Sequence, residues 1–529
     1  MESRTFDLII KDGWIIDGSG HPGFSGDVGI RGDRIELIGR GIRLPSQKVI
    51  DARGLVVAPG FIDTHSHADT IALVDPTEDS KIQQGVTTEC IGNCGLSLAP
   101  LNKEHLPDLQ TYVAPFLGGF HLNWNWQTMG QYLDQIKCPS RNIAALVGHG
   151  TIRITAIGPE NRKPTPYEMD KMKDLISESM DQGAFGLSSG LIYPPGVFAE
   201  TDELIELCKI VAKREGLYAT HIRGESNTLV EAVNEAIEIG QKSGVSVQIS
   251  HHKAGGKKNW GKVKETLDRV EKARTQGINI HLDVYPYTAG STMLASILPP
   301  WMHDGGMDQA LNRLKDPQVR LRIKGDIEQG IKGWENMNQF AGWEGIVIAF
   351  CKKEKELEGK SILQIANERN REPAETAFDI LLEEAGKVVM VIYAMSEEDV
   401  RTVMKHPLVM IGTDGIPSSG KPHPRAYGTY PRVLGKYVRE EKIFSLEEAI
   451  RKMTSLPAQK FGLKERGMIA EGMIADLVIF NPSTIEEKST YFNPHEKPEG
   501  IEYVLIGGSI VLERTKLLNS QKGRVIRKA

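Results

Sequence analysis

Pro59-Gly60-Phe61-Ile62-Asp63-Thr64-His65-Ser66-His67 is the stretch that decides the fold prediction. An apolar run ends here in two histidines separated by a single residue. Because side chains alternate between the two faces of a strand, His65 and His67 point the same way. Two imidazoles on one face at the end of a strand can form part of a metal site, and a hydrolytic metal site needs further ligands.

The composition is that of an ordinary globular protein, with 529 residues of which 40% are hydrophobic and 25% charged. A net charge of −5 provides no basic surface, so neither nucleic acid nor a membrane is expected as a partner. Five widely spaced cysteines without a CxxC pair favour a reducing, cytoplasmic location over a disulfide framework. No signal peptide or apolar run of about 20 residues is evident.

Short apolar runs alternate with helical patterns through the middle of the chain. The runs are Phe61–His65, Thr87–Cys94, Ile143–His149, Ala184–Ser189, Leu217–His221, Val245–His251, Ile278–Tyr285 and Leu408–Asp414. Strands that alternate with helices form parallel sheets, and eight of them predict a (β/α)8 barrel of the TIM type over residues 58–465. Two further runs, Gly345–Phe350 and Val388–Ala394, exceed the eight, so the identity of the last barrel strands stays open.

Residues 1–57 and 466–529 are rich in strand patterns, and neither end alone has enough strands to bury a sheet face. We therefore predict a small β-sandwich domain built from both termini. Residues 288–350 break the alternation and are too long for a simple connection. This insertion is either a lid over the site or a surface subdomain, and the sequence favours neither.

Chemistry in such barrels is located at the carboxyl ends of the strands, and metal-binding residue types occur there. They are His65 and His67 after the first run, Cys94 after the second, His221 in the fifth, His251 and His252 after the sixth, and Asp414 after the last. Nitrogen, sulfur and oxygen donors together suit zinc. Each residue alone has an ordinary structural explanation, but six ligand positions at strand ends, with His251 and His252 as alternatives for one of them, predict a site. His149 ends the third run without a motif linked to metal and is left out.

Pro59–His67 resembles the first-strand motif of the amidohydrolase superfamily, and Gly467-Met-Ile-Ala-Glu-Gly-Met-Ile-Ala-Asp-Leu-Val478 resembles its return into the β domain. Three further motifs are similar to those of the D-aminoacylase (N-acyl-D-amino-acid deacylase) family. They are Gly92-Asn-Cys-Gly95, Ser250-His-His-Lys253 and Asp283-Val-Tyr-Pro-Tyr-Thr-Ala-Gly-Ser-Thr292. The resemblance covers essentially the full chain.

The resemblance implies a role for each candidate residue. Cys94, His221 and His251 would hold one tightly bound Zn²⁺, and His65 and His67, with Cys94 and Asp414, would frame a second, weaker site. Asp414 would be the general acid and base. The substrate's α-carboxylate would be bound by Lys253, Tyr285 and Ser291. The choice of His251 over His252 rests on the resemblance, because strand alternation permits either.

The expected reaction is zinc-dependent hydrolysis of a small N-acyl-D-amino acid to a D-amino acid and a carboxylate. One alternative is an amidohydrolase of the hydantoinase or isoaspartyl-dipeptidase type that acts on cyclic amides or dipeptides. Those enzymes use a lysine on the fourth strand, whereas Ala184-Phe-Gly-Leu-Ser-Ser-Gly190 has none. The other alternative is a non-catalytic binding protein with this fold. The preferred side chain, the acyl group and the oligomeric state stay open.

Overall fold

Eight parallel strands, β1 to β8, form a barrel in the computed structural model, which describes residues 5–117, 120–518 and 521–528. In chain order they are Phe61–Asp63, Val86–Ile91, Asn142–Ala145 continued by Val147–Gly148, Gly186–Gly190, Leu217–His221, Ser246–Ile249, Ile280–Val284 and Val409–Ile411. A parallel bridge between Ser66 and Gly415 joins β8 to β1. The predicted (β/α)8 barrel is confirmed, and its strands match the eight predicted runs to within one residue outside them.

Helices connect the barrel strands and surround them. They are Ile71–Val74, Ser80–Gln83, Leu106–Val113, Met129–Gln135, His149–Ala156, Pro166–Asp181, Thr201–Lys213, Leu229–Ser243, Lys262–Thr275, Glu397–Lys405, Arg425–Arg432, Leu446–Met453 and Ser455–Phe461. Pro166–Asp181 shows how local sequence sets such a helix, because Thr165 and Glu168 form a reciprocal capping box at its start. Met172, Ile176 and Met180, spaced by four residues, form its buried face.

One nine-stranded sheet combines both ends of the chain. Its order is Lys516–Leu517, Ser509–Glu513, Ile501–Ile506, Leu477–Phe480, Val56–Pro59, Phe6–Ile15, Phe24–Arg31 and Arg34–Gly39, with Ser46–Asp51 also paired to Phe6–Ile15. The two ends meet where Val56–Pro59 runs antiparallel to Leu477–Phe480. Leu8, Ile50 and Leu477 share one buried cluster, so strands from both termini cover a common core. The predicted β domain from both termini is confirmed.

Between β7 and β8 the chain leaves the barrel and forms a separate antiparallel sheet. Its strands are Ala289–Met293, Ile346–Phe350 and, in the middle, Val389–Tyr393. The helices around it are Met307–Arg313, Pro317–Gln329, Met337–Ala341, Ile362–Glu368 and Pro373–Glu383. The two runs that exceeded the eight barrel strands belong to this sheet, and its middle strand lies beyond the predicted end of the insertion at residue 350.

A buried carboxylate fastens β1 to β8. Asp63 Oδ1 accepts hydrogen bonds from the backbone N–H groups of Thr413 (2.9 Å) and His65 (3.2 Å). Its Oδ2 accepts from the Thr413 hydroxyl (2.6 Å) and from Lys81 Nζ (2.5 Å). Lys81 is completely buried and lies 3.5 Å from a second buried carboxylate, Glu89. Because a charge inside a protein is tolerated only when it is paired, the Lys81 ammonium helps to compensate both carboxylates at this seam.

No helix within the described ranges is long and apolar enough to cross a membrane.

We predict that Lys81→Met lowers the free energy of unfolding by about 3–5 kcal/mol, because it leaves the buried Asp63 carboxylate without a cation and Glu89 with Arg141 alone. Chemical denaturation monitored by circular dichroism measures the change. Lys103→Met, which alters an exposed lysine, should change the stability by less than about 0.5 kcal/mol. A Lys81→Met protein as stable as the Lys103→Met control would contradict the role given to Lys81.

Candidate metal centre

Six side chains from five strand ends meet at the carboxyl end of the barrel. Their candidate ligand atoms form two groups within 4.8 Å, namely His65, His67, Cys94 and Asp414, and Cys94, His221 and His251. Cys94 belongs to both groups, so a single thiol lies between two potential metal positions. All six residues predicted as ligands are therefore brought together.

The surroundings of Cys94 fit a metal-binding thiolate. Its Sγ lies 3.3 Å from His65 Nε2, 3.5 Å from His251 Nε2 and 3.9 Å from His221 Nδ1. Burial raises the pKa of this thiol, but the neighbouring imidazoles outweigh burial and hold the pKa well below the usual cysteine value. The thiolate is the form that binds metal, and a set of imidazole, thiolate and carboxylate donors fits zinc.

The backbone is strained at three of the six positions. Cys94, His251 and Asp414 have φ angles of +53°, +36° and +47°, in the left-handed region that residues other than glycine rarely adopt. Each of the three lies just past the end of a barrel strand. Strain of this kind costs of order 1–3 kcal/mol per residue and is concentrated at functional sites.

Asp414 faces the histidines with one oxygen and an arginine with the other. Oδ1 lies 3.1 Å from His67 Nε2 and 3.4 Å from His65 Nε2, while Oδ2 lies 2.8 Å from Arg425 Nη1. Burial raises the pKa of Asp414, but Arg425 and the histidines more than offset burial, so the pKa lies well below the usual aspartate value. The carboxylate is therefore ionised in this environment.

Two carboxylates behind the histidines orient the rings. Asp283 Oδ1 lies 3.3 Å from His65 Nδ1, and Glu225 Oε1 lies 2.9 Å from His251 Nδ1. Both contacts occupy Nδ1 and leave Nε2 directed at Cys94, an arrangement typical of metal-binding histidines. Sequence reasoning did not assign these roles. A signal for Glu225 was present in the sequence. Metal-binding histidines need a carboxylate partner, and Glu225 lies four residues after His221.

A cavity of about 630 Å³ opens onto this centre and is lined by the three residues predicted to bind a carboxylate: Lys253, Tyr285 and Ser291. Arg425 joins them, since its Nη2 donates to the carbonyl of Ser291 at 3.1 Å and its guanidinium carbon lies 4.4 Å from the centre of the Tyr285 ring. Lys253 Nζ lies 5.6 Å from the same ring centre. Two cations close to one tyrosine make this wall suited to an anion. Sequence reasoning missed Arg425.

Two histidines near the barrel mouth are engaged elsewhere. His149 Nε2 lies 2.8 Å from Glu203 Oε1, and His252 Nε2 lies 2.8 Å from the hydroxyl of Thr266. Burial, followed by the charge of Lys253, lowers the pKa of His252 to about 3. Neither histidine belongs to the two ligand groups, and the placement of His252 distinguishes it from His251, which strand alternation alone does not.

A family model described as the amidohydrolase family matches residues 48–512 of the chain. D-aminoacylase of Alcaligenes xylosoxydans xylosoxydans is 37% identical over 529 residues, which cover 99% of this chain and 98% of that protein. N-acyl-D-glutamate deacylase of the same organism is 35% identical over 527 residues, which cover 99% of this chain and 97% of that protein.

A similar solved structure is that of N-acyl-D-glutamate deacylase from Bordetella bronchiseptica, in complex with zinc and a phosphonate inhibitor that mimics the tetrahedral intermediate of its reaction. The TM-score is 0.85 at 33% sequence identity, and the match covers 99% of this chain and all of that one. Because its identity to these proteins exceeds 30% over nearly the whole length, this chain belongs to the same family as they do. The chain belongs to the D-aminoacylase family of amidohydrolases.

Proposed function

We propose that the chain is a zinc-dependent deacylase that hydrolyses the amide bond of N-acyl-D-amino acids to give a D-amino acid and a carboxylate. The observation that carries this proposal is the position of Cys94, a buried thiol shared by two groups of ligand atoms beneath a cavity with a cationic wall. The names of the similar enzymes from Alcaligenes and Bordetella agree with such a substrate.

In this proposal Cys94, His221 and His251 hold one tightly bound zinc ion. The second, weaker position is framed by His65, His67, Cys94 and Asp414. Zinc bound here would supply a Lewis acid for the acyl carbonyl and for the attacking water.

Asp414 moves the proton. Its carboxylate is kept ionised by Arg425 and lies at the mouth of the barrel between His67 and the cavity. It takes a proton from the attacking water and returns that proton to the nitrogen of the departing amine. Arg425 holds Oδ2, which leaves Oδ1 on the side of the metal positions as the atom that exchanges the proton.

Lys253 and Arg425 bind the α-carboxylate of the substrate, with hydrogen bonds from the hydroxyls of Tyr285 and Ser291. Charge-assisted hydrogen bonds to two cations fix this end of the molecule, and zinc held by the ligand groups would bind the acyl group at the other end. With two points fixed, the hand of the α-carbon decides whether the side chain enters the cavity or collides with its wall. The preference for D over L substrates is therefore geometric.

The proposed place of action is the cytoplasm, and the proposed partner is the small-molecule substrate. All five cysteines are free thiols, and Cys94 must stay reduced to bind metal. A reducing compartment protects both this ligand and the exposed Cys138 from oxidation.

A panel of N-acetyl-D- and N-acetyl-L-amino acids tests the proposed activity by measuring the amine released. We expect turnover of D substrates only. Asp414→Asn should lower kcat by about 10²–10⁴-fold, because it removes the proton acceptor. The dialysed Asp414→Asn protein should keep the tightly bound zinc, since that position does not include this residue. Exclusive turnover of L substrates would overturn the proposal.

Cys94→Ala should lose the tightly bound zinc, because the shared thiolate is removed from both ligand groups. Elemental analysis of the dialysed protein measures the metal content. Cys90→Ala is a matched control, since Cys90 is buried on the same strand, β2, but lies outside both groups. If Cys94→Ala kept as much zinc as Cys90→Ala, the ligand assignment would be wrong.

Lys253→Met should raise KM for substrates with a free carboxylate by about 10–100-fold, which corresponds to the loss of a charged hydrogen bond worth about 1.5–3 kcal/mol. The corresponding methyl esters should be affected much less. Steady-state kinetics with Lys257→Met, an exposed lysine of the same loop, supplies the control. Equal losses with acid and ester substrates would rule out carboxylate binding by Lys253.

A further inference from the structure

The charges around the cavity are nearly all paired. Lys253 and Arg425 are the lysine and the arginine among the described residues that line it. Lys253 Nζ lies 2.5 Å from Glu225 Oε1, and Arg425 Nη1 lies 2.8 Å from Asp414 Oδ2. A third carboxyl group, that of Glu335, also lines the cavity and comes from the insertion rather than from the barrel.

Glu335 has no role in the mechanism proposed above, although it is only 6% exposed. Its side chain accepts hydrogen bonds from the Ser226 side chain and from the backbone N–H groups of Glu225 and Ser226. Its Oε1, however, is buried without a hydrogen-bond partner among the described residues. An unsatisfied buried polar atom costs about 1–3 kcal/mol, so its persistence next to a cavity points to a ligand group.

The neighbours of Glu335 form an apolar wall. Met337 and Phe340 follow it in the same segment, and Ile192 and Ile392 complete the lining on this side. The segment packs closely against the loop after β6, since a Cβ atom on Gly256 would lie 2.5 Å from Phe340 Cβ. Glu335 thus lies where the loop that carries Glu225 and Ser226 meets a wall of hydrocarbon side chains.

This arrangement has a consequence for any substrate with two carboxylates. Its α-carboxylate would use Lys253 and Arg425, and no further lysine or arginine lines the described part of the cavity to receive the second. The second carboxylate would instead lose its hydration on the apolar wall and face the carboxyl group of Glu335. A side-chain carboxamide in the same place carries no charge and offers N–H donors to the unpartnered Oε1 of Glu335.

We propose that Glu335 is a specificity residue that favours N-acyl-D-amino acids with neutral side chains, apolar or ending in an amide, over those with acidic side chains. This inference rests on the proposed deacylase function and adds the class of side chain, which family membership leaves open.

The discriminating substrates are N-acetyl-D-glutamine and N-acetyl-D-glutamate, which have the same shape and differ in charge. We expect kcat/KM of the wild-type enzyme to be at least about 100-fold higher for the glutamine compound. Glu335→Gln should reduce this ratio at least about 10-fold, chiefly through faster turnover of the glutamate compound, because the repulsive carboxylate is gone. N-acetyl-D-methionine should change by less than about threefold.

Glu328→Gln is the matched control, since Glu328 is an exposed glutamate of the same insertion. It should leave the ratio at the wild-type value. If no N-acetyl-D-amino acid is hydrolysed, the proposed function fails. If N-acetyl-D-methionine is hydrolysed and Glu335→Gln leaves the glutamine-to-glutamate ratio unchanged, the specificity proposal alone is overturned.

The wild-type enzyme provides a second measurement that does not depend on folding of the variant. Burial, together with the nearby Glu225, raises the pKa of Glu335 to about 7. The charged group that faces Glu335 is Glu225, itself paired with Lys253. Below this pKa Glu335 is neutral and tolerates an acidic side chain, and above it Glu335 repels one. Turnover of N-acetyl-D-glutamate relative to N-acetyl-D-methionine should therefore fall as the pH rises from 6 to 8, and a flat ratio would contradict the proposal.

Discussion

The carboxylate of Asp63 is the interaction on which the rest of the structure depends. It accepts hydrogen bonds from the backbone of His65 at the end of β1 and from the backbone and hydroxyl of Thr413 at the end of β8. The next residue along, Asp414, donates its backbone N–H to the carbonyl of His65 at 2.7 Å. The bonds that close the barrel therefore also fix the spacing between a histidine pair and the proposed catalytic carboxylate. The same hydrogen bonds that join β1 to β8 therefore hold the candidate metal ligands in place.

Two layers of buried charge are stacked at this end of the barrel. In the lower layer Lys81 forms ion pairs with Asp63 and Glu89, and Arg141 also pairs with Glu89. In the upper layer the anionic Cys94 and Asp414 are surrounded by imidazoles, with further carboxylates behind them. Such groups are costly to bury singly and are tolerated only as complete sets. The large apolar cluster around the barrel offsets the free-energy cost of burying these charges.

The sequence predicted the elements that show a hydrophobic period and the site residues that lie at strand ends. The barrel runs, the β domain from both termini and the convergence of His65, Cys94 and Asp414 all come from such patterns. The runs at Gly345–Phe350 and Val388–Ala394 resembled barrel strands because an apolar run does not reveal its pairing partner. Arg425 was missed for a similar reason. It lies in a helix beyond Asp414, and only the folded chain places its guanidinium against the carboxylate.

The candidate site is built from two units with separate hydrophobic cores, the barrel and the insertion. The candidate ligands and the proton-moving carboxylate come from the barrel, whereas Ser291, Glu335 and Phe340 come from a segment with its own buried cluster, which includes Leu294, Ile346 and Met390. A separate core lets the wall that faces the substrate side chain vary without disturbing the metal positions. In the proposed reaction the acyl group and most contacts to the α-carboxylate belong to the barrel side of the site, so the insertion mainly faces the substrate side chain. The two proposals together therefore assign selectivity among D-amino acids to the insertion and the chemistry to the barrel.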